Sequence, residues 1–153
     1  MICNSRLNGK NLYLRSLNKN DNYNLYFSWL NDSEINKFLE IRFNLPSDKS
    51  TLIEYIDQQN KSLNSIFFGI FKNNSKFIGT LRLHNINSHH NTCELGFIIG
   101  DKSEHKKGHA YDALNCAIKY AKQNLEVRKI YAGCYSENTT SSKLLLKIGF
   151  TLT

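Results

Sequence analysis

A cation-rich turn joins a strand-like segment to a helix-like segment near the middle of the chain. The apolar segment 93–99 stops at Gly100, and residues 104–109 then read Glu-His-Lys-Lys-Gly-His before a helix pattern begins near Ala110. The first N–H groups of a helix lack backbone partners and carry partial positive charge. A turn with Gly108 and two Lys residues directly before a helix therefore suits a phosphorylated ligand. We expect this turn to bind the pyrophosphate of a cofactor.

The spacing of apolar residues places this turn in an alternation of strands and helices. Apolar or alternating segments predict strands at 12–17, 66–71, 77–84, 93–99 and 129–135, with a further strand starting at Phe150. Helix periods and capping residues predict helices after Asn18 and Asp48, from about 110 to 122, and from 139 to 147. The strand, helix and strand around the turn imply a parallel pair of strands. We expect a mixed α/β sheet in a single domain over residues 1–153.

The composition limits the classes of function. No apolar run approaches the roughly 20 residues of a membrane span, and the N-terminus lacks a signal-peptide core, so we expect a cytoplasmic protein without a membrane partner. The 4 Cys residues lack C-x-x-C spacing and predict neither a disulfide framework nor a zinc site. The net charge of +7 favours an anionic partner, but the Lys residues are spread along the chain. An anionic small molecule therefore explains the charge as well as a nucleic acid does.

The turn and the order of elements around it resemble one known family. GNAT N-acetyltransferases carry the turn Arg/Gln-x-x-Gly-x-Gly/Ala, which residues 105–110 match at Gly108 and Ala110, with His105 in place of Arg or Gln. The predicted order of one strand, two helices, three antiparallel strands, a helix, a strand, a helix and a last strand is similar to that family over nearly the whole chain. A Lys-Lys-Gly turn alone is more often a solvated surface loop, but its context here favours a phosphate site.

A second stretch near the C-terminus resembles one branch of this family. Asn138 and Ser141, followed by Gly149 and Phe150, are similar to the Asn-x-x-Ser…Gly-Phe ending of the branch that acetylates ribosomal-protein N-termini and many amino sugars. Residues 29–32, Trp-Leu-Asn-Asp, also resemble that branch. Family members continue past Gly-Phe into a final β-hairpin whose last strand is missing here, so we expect an open sheet edge. Either residues are missing, or a second copy of the chain covers that edge in a homodimer.

The resemblance implies both a fold and a reaction. It implies the GNAT acyl-CoA N-acyltransferase fold, and transfer of an acetyl group from acetyl-CoA to a small-molecule primary amine by direct attack, with no metal ion. It also implies that the pantetheine arm pairs with residues 98–100, where backbone N–H groups point at the thioester oxygen, and that residues 105–110 hold the pyrophosphate. The implied cofactor-binding residues are Ile98, Ile99, Gly100, His105, Lys106, Lys107, Gly108, His109, Ala110, Asn138 and Ser141.

Removal of the amine proton requires a base, and Glu94 is the candidate. It is the only carboxylate in the segment 93–99, and it lies on the same strand face as Gly96 and Ile98. Burial raises the pKa of a carboxyl group towards neutrality, so we expect a buried base. The alternative is a Glu that faces solvent or pairs with Arg82 across the hairpin, with water carrying the proton instead.

The leaving thiolate of coenzyme A must also be stabilised. Many members of the family use a Tyr in the last helix, but the corresponding position here, 7 residues after Asn138, is Leu145. The resemblance therefore makes Ser141 the candidate hydrogen-bond donor to the thiolate, while Asn138 binds pantetheine or orients the acceptor. For both residues the alternative is simple capping of the last helix.

The acceptor is the least defined part of the reaction. Trp29 and His84 are the candidate acceptor-binding residues; His84 is also a second candidate base, although a single His at a strand end is more often structural or exposed. A basic protein suits an anionic acceptor, so we expect an amino sugar or sugar nucleotide, with a protein N-terminus as the alternative. An aminoglycoside is less favoured because the chain has only 13 acidic residues. Two hypotheses from other functional classes are a non-catalytic acyl-CoA-binding regulator and a nucleic-acid-binding module. The nucleic-acid-binding module is disfavoured because the aromatic residues follow helix and buried-strand periods.

Overall fold

A curved sheet with helices on both faces organises the molecule. The computed structural model describes residues 1–153, apart from the side chain of Glu40. The strands are β1 Leu7–Asn8, β2 Leu12–Ser16, β3 Ile66–Lys72, β4 Phe77–Asn87, β5 Thr92–Ile99 and β6 Lys129–Tyr131. The α-helices are α1 Tyr23–Leu30, α2 Ser33–Asn36, α3 Lys49–Lys61, α4 His109–Asn124 and α5 Thr139–Ile148, and 3₁₀ helices span Glu40–Phe43 and Lys102–Glu104.

The strands follow one another across the sheet in the order β1-β2-β3-β4-β5-β6. Neighbouring strands from β1 to β5 are antiparallel, because tight links join most of them. Strands β5 and β6 are parallel, because α4 returns the chain to the end at which β5 began. The mixed sheet and its parallel pair, both predicted from the sequence, are confirmed.

The sheet separates two apolar cores. Every residue of β3 from Ile66 to Phe71 is buried, so its alternate side chains fill both faces. On one face, Ala113, Ala117 and Ala121 of α4 are at most 1% exposed, and these small side chains allow the helix to pack closely against the sheet. On the other face, the sheet packs against aromatic and aliphatic residues of α1 and α3, which include Tyr23, Tyr26, Trp29, Leu52 and Ile56.

Most of the predicted helix starts are confirmed, and one is wrong. Asp48 caps α3, where its carboxylate accepts a hydrogen bond from the Thr51 N–H at 2.9 Å. Asn138 caps α5, and Gly149 ends that helix with a φ of +118°. The predicted cap Asn18 does not start α1, because its side chain accepts from the Asn20 N–H at 2.9 Å and forms a turn. Asn22 caps α1 instead.

The largest departures from the predicted elements lie at the two ends of the chain and between the first two long helices. The short strand β1 and the short helix α2 were not predicted, because each has too few residues to show a period. The strand predicted from Phe150 does not form, and β6 ends at Tyr131 rather than at 135. In the described chain β6 has no strand along its outer edge, so its backbone groups lack the partners that extend a ladder.

Three further features of the described part of the chain concern membrane spans, thiols and metal ligands. No helix there is long and apolar enough to cross a membrane. Cys3, Cys93, Cys116 and Cys134 are all free thiols. Among the described side chains, no group of three or more His, Cys, Asp or Glu residues is placed to hold a metal ion.

Candidate active site

Strand β5 has an open edge over the second half of its length. Its parallel partners are Lys129, Ile130 and Tyr131, which lie beside the first three residues of β5. The pairing of β6 with β5 ends at Glu94, whereas β5 continues beside β4 as far as Ile99. The two strands therefore diverge and leave a gap beside residues 95–99. This gap lies where the sequence predicted that an extended ligand would pair with the sheet.

Only some of the backbone N–H and C=O groups of β5 point into this gap. The Gly100 N–H donates to the Ile78 carbonyl at 2.9 Å, on the β4 side. Residues of a strand turn their N–H and C=O groups to alternate sides, so Ile99 faces the gap, and Ile98 and Gly100 face β4. The expectation that N–H groups throughout 98–100 point at a ligand is therefore wrong for Ile98 and Gly100. Ile99 is the residue of that segment whose backbone is directed to the gap.

His105 already contacts this backbone. Its ring nitrogen Nε2 lies 2.6 Å from the Ile99 carbonyl oxygen, to which it donates a hydrogen bond. The sequence placed His105 in the phosphate turn, but the structure directs its ring back to the end of β5. The turn and the open strand edge are thus joined by a side chain that contacts both.

A cleft of about 480 Å³ lies beside the gap. This volume is within the range of roughly 300–1,000 Å³ that is common for small-molecule sites. The cleft brings together most of the predicted cofactor residues, namely Ile98, Ile99, His105, Lys106, Gly108, His109, Ala110, Asn138 and Ser141. Gly100 and Lys107 are not among its lining residues.

The turn before α4 leaves the start of that helix open to the cleft. Gly108 is the residue before the helix and adopts the left-handed conformation, with a φ of +81° and no side-chain cap. A side chain at this position is disfavoured by the backbone conformation rather than by lack of room, since no described atom lies within 4 Å of the position a Cβ would take. The first N–H groups of α4 therefore remain available to an anion.

Glu104, which sequence analysis did not single out, anchors this turn from below. Its side chain is only 4% exposed and accepts hydrogen bonds from Lys72 and Lys76, each at 3.2 Å, and from His109 at 2.9 Å. Lys107 lies 3.6 Å from the same carboxylate, which explains why Lys107 does not line the cleft. Burial alone raises the pKa of this carboxyl group, but the hydrogen bonds from Lys76, Lys72 and His109 outweigh it and lower the pKa of Glu104 to about 2.

The start of α5 forms the opposite wall of the cleft. The Asn138 side chain accepts from the Ser141 N–H at 3.2 Å, so the capping role of Asn138 is confirmed. Ser141 is half-buried and lines the cleft, so its hydroxyl remains near the ligand space. Leu145 is 6% exposed and belongs to the core.

The two candidate acceptor-side residues of the hairpin lie on the other face of the sheet. Glu94 and His84 are cross-strand partners, and the Glu94 carboxylate accepts a hydrogen bond from Asn85 at 2.9 Å and lies 3.9 Å from His84 Nε2. The Glu94 side chain is 48% exposed, so the expected burial is wrong. The alternative of a Glu94 that faces solvent is the one the structure supports, and its cross-strand partner is His84, while Arg82 lies opposite Gly96.

His84 is held in its neutral form by its surroundings. Burial lowers its pKa, the positive charge of Arg82 lowers it further, and Glu94 opposes both effects. Since an unperturbed His titrates near pH 6.5, the His84 ring is uncharged at neutral pH.

Trp29 supports the end of β5 from this same face. Its side chain is 5% exposed and packs against Phe77 with ring centroids 4.9 Å apart. A Cβ added to Gly100 would lie 2.0 Å from the Trp29 ring, so the ring covers the backbone there. Trp29 therefore supports the backbone at the end of β5. A direct contact between Trp29 and an acceptor stays a prediction.

The comparisons with known proteins agree with this arrangement. Residues 11–151 match the family model described as an acetyltransferase (GNAT) domain. The chain belongs to the GNAT acetyltransferase family. A ribosomal protein uS5-alanine N-acetyltransferase of Escherichia coli K12 is 32% identical over 108 residues, which are 69% of this chain and 55% of that protein, so the chain spans about half the length of this curated relative. The acetyltransferase PseH of Campylobacter jejuni is 26% identical over 84% of this chain and 76% of that protein.

Solved structures share the fold of this GNAT chain. The spermidine N-acetyltransferase of Vibrio cholerae, determined with CoA and spermine, has a TM-score of 0.83 at 24% sequence identity, over 94% of this chain and 82% of that chain. A putative ribosomal-protein-serine acetyltransferase from Vibrio cholerae has a TM-score of 0.76 at 18% identity, over 97% of this chain and 84% of that chain.

Part of the cleft of this GNAT domain comes from a segment without a sequence motif. Residues of α2 and the turn after it line the cleft, among them Ile35, Phe38 and Leu39. Lys102 ties this segment to the phosphate turn, because its ammonium group lies 3.0 Å from both Asp32 and Glu34. The only sequence signal for this wall is the Asp-Ser-Glu start of α2, which is too short to predict a helix.

Proposed function

We propose that the protein transfers the acetyl group of acetyl-CoA to a primary amine. The observation that supports this most directly is the open edge of β5 at Ile99 beside the uncapped start of α4, in one cleft. An extended amide-bearing arm pairs with a strand edge, and a pyrophosphate binds at a helix start, so one ligand with both parts matches the cleft. Coenzyme A has both parts.

Each wall of the cleft has a role in this proposal. The N–H groups at Gly108–Ala110 bind the pyrophosphate, with Lys106 adding charge, while Lys107 acts from its position beside Glu104. The Ile99 N–H donates to the bound ligand. A ligand amide that pairs with Ile99 replaces the His105 ring on the Ile99 carbonyl.

The chemical step requires proton transfers at both ends. The amine nitrogen attacks the thioester carbon, the C–N bond forms, and the C–S bond breaks with the electron pair leaving on sulfur. Glu94 takes the amine proton, directly or through water, and neutral His84 beside it is the second candidate base. The Ser141 hydroxyl donates to the departing thiolate from the start of α5.

We propose an amino sugar or a sugar nucleotide as the acceptor, and a protein N-terminus as the alternative. The net charge of +7 supports an anionic acceptor. The Escherichia coli relative, which is named for acetylation of an alanine of ribosomal protein uS5, supports the alternative.

We also propose that a second copy of the chain covers the free edge of β6. An apolar groove of about 400 Å³ runs between β6 and α5, and Tyr131 and Leu146 beside it are about half-exposed. The spermidine N-acetyltransferase of Vibrio cholerae, which shares the fold, has been solved as a dodecamer. A molar mass in solution equal to one chain would contradict this proposal.

Thermal-shift titration tests the cofactor assignment. Acetyl-CoA and free CoA should each raise the Tm, by an amount that corresponds to about 2.7 kcal/mol of stability at 100 times the Kd. ATP and short DNA serve as anionic controls, since a nucleic-acid-binding module would respond to DNA instead. Absence of stabilisation by both CoA species would overturn the proposal. Release of free thiol with a panel of amines then tests the transfer itself.

A further inference from the structure

Arg82 is a partly buried cation on the acceptor face of the sheet. It lies opposite Gly96 of β5 and Phe67 of β3, and cross-strand partners place their side chains on the same face. Its guanidinium group donates one hydrogen bond, to the Tyr55 hydroxyl at 2.6 Å. Among the described side chains, no carboxylate lies within 4.0 Å of it.

Arg15 on the same face shows what a paired guanidinium looks like in this protein. Its nitrogens donate to both carboxylate oxygens of Asp21, at 2.6 and 2.9 Å. A guanidinium group has five N–H donors in a planar fork, which matches a carboxylate or a phosphate. Withdrawing such a cation from water is costly unless an anion compensates it. Arg82 lacks the compensation that Arg15 has.

There is room for a ligand directly beside Arg82. A Cβ added to Gly96 would meet no described atom within 4 Å, so the sheet surface opposite the guanidinium is open. Gly96 lies midway along β5 between Glu94 and Ile98, roughly 7 Å from each at about 3.4 Å per residue. The candidate base and the end of the strand where the thioester is expected therefore flank this space.

We propose that Arg82 binds a carboxylate or phosphate group of the acceptor, so that the substrate is an amine that also carries an anionic group. This inference rests on the proposed function. The Tyr55 hydroxyl accepts from one guanidinium nitrogen and fixes the plane of the fork, which leaves the other donors for a bidentate contact. The same cation repels the ammonium groups of a polyamine, so it selects against that class of acceptor.

Matched pairs of acceptors test this inference. Glucosamine and glucosamine 6-phosphate differ by a phosphate, and alanine amide and alanine differ by a carboxylate; spermidine is the polycationic control. Binding is measured by calorimetry with CoA present, and kcat/KM is measured with acetyl-CoA. We expect the anionic member of at least one pair to bind roughly tenfold or more tightly than its neutral partner, since hydrogen bonds to charged groups are worth about 1.5–3 kcal/mol.

Variants at Arg82 identify the source of that preference. Arg82→Gln should reduce the ratio between the two members of the pair to near one, Arg82→Lys should retain part of it, and Tyr55→Phe should lower it by a smaller amount. Stabilisation by CoA, measured by the shift in Tm, verifies that each variant is folded. Equal binding of both members of each pair, or an unchanged ratio in Arg82→Gln, would overturn the inference. If CoA also fails to bind the wild type, the proposed function is what has failed.

Discussion

Two glutamates mark the two sides of the site, and their surroundings differ in kind. Glu104, on the proposed cofactor side, is 4% exposed and accepts hydrogen bonds from three cationic or imidazole side chains. Glu94, on the proposed acceptor side, is 48% exposed and accepts one hydrogen bond from a neutral amide. The proposed cofactor side is held by a buried network of ion pairs and hydrogen bonds, while the polar groups on the proposed acceptor side are more exposed and have fewer partners. This difference fits the proposed function, in which the cofactor is constant and the acceptor is selected.

The largest effect is expected at Trp29, which packs on the same face of the sheet as Glu94, beside the end of β5. Trp29→Ala should lower the free energy of unfolding by about 3–5 kcal/mol, because it removes a large buried ring that covers the backbone of Gly100. Urea denaturation measures this loss. Leu63→Ala is the matched control, since Leu63 is 92% exposed and its truncation should change stability by no more than about 0.5 kcal/mol. A loss as small as that of the control would contradict the core role of Trp29.

The next effect concerns catalysis on the acceptor side alone. Glu94→Gln should lower kcat by about 10²-fold or more, the usual contribution of a general base. The Tm and the Kd for CoA should not change, because Glu94 lies outside the cleft residues. Glu54→Gln, at an exposed position of α3, is the control. A kcat equal to that of the wild type would mean that water or His84 removes the proton.

The contrast between the two sides also explains what the sequence could predict. The phosphate turn and the start of α4 are contiguous in sequence, so their residue types and spacing predict their geometry. The partners of Glu94 and Arg82 depend on the register between β4 and β5, where a shift of one residue moves every side chain to the opposite face. That register depends on pairing between two strands and cannot be deduced from the spacing of residues within either strand. The cation cluster around Glu104 joins Lys72 and Lys76 of another hairpin to the turn, and it was missed for the same reason.

A smaller effect is expected at Gly108, where the backbone conformation rather than the available space disfavours a side chain. Gly108→Ala should cost about 1–2 kcal/mol of stability, because an L residue with a φ of +81° is strained. It should also weaken CoA binding, because relaxation of the strain displaces the first N–H groups of α4. Gly133→Ala is the matched control, since a Cβ there also meets no described atom within 4 Å but the backbone lacks the positive φ. Equal Tm and Kd values for the two variants would show that the turn tolerates a residue with a side chain in the left-handed backbone conformation, as it does at Lys106.

The smallest effect appears only in acid and tests how firmly Glu104 is held. Its pKa is lowered from 4.5 to about 2 in the folded protein, so its ionised form stabilises the fold fully above pH 4.5, and that contribution is lost as the pH falls towards 2. The wild-type Tm should therefore fall more steeply than that of Glu104→Gln across this window, and the two should approach each other at its acidic end. Asp57→Asn, which changes an ion pair with a carboxylate side chain that is 61% exposed, should give a curve parallel to that of the wild type. If the curve of Glu104→Gln were also parallel to that of the wild type, the Glu104 carboxylate would be held no more firmly than a surface acid. The two glutamates would then no longer support the contrast between a fixed cofactor side and an adaptable acceptor side.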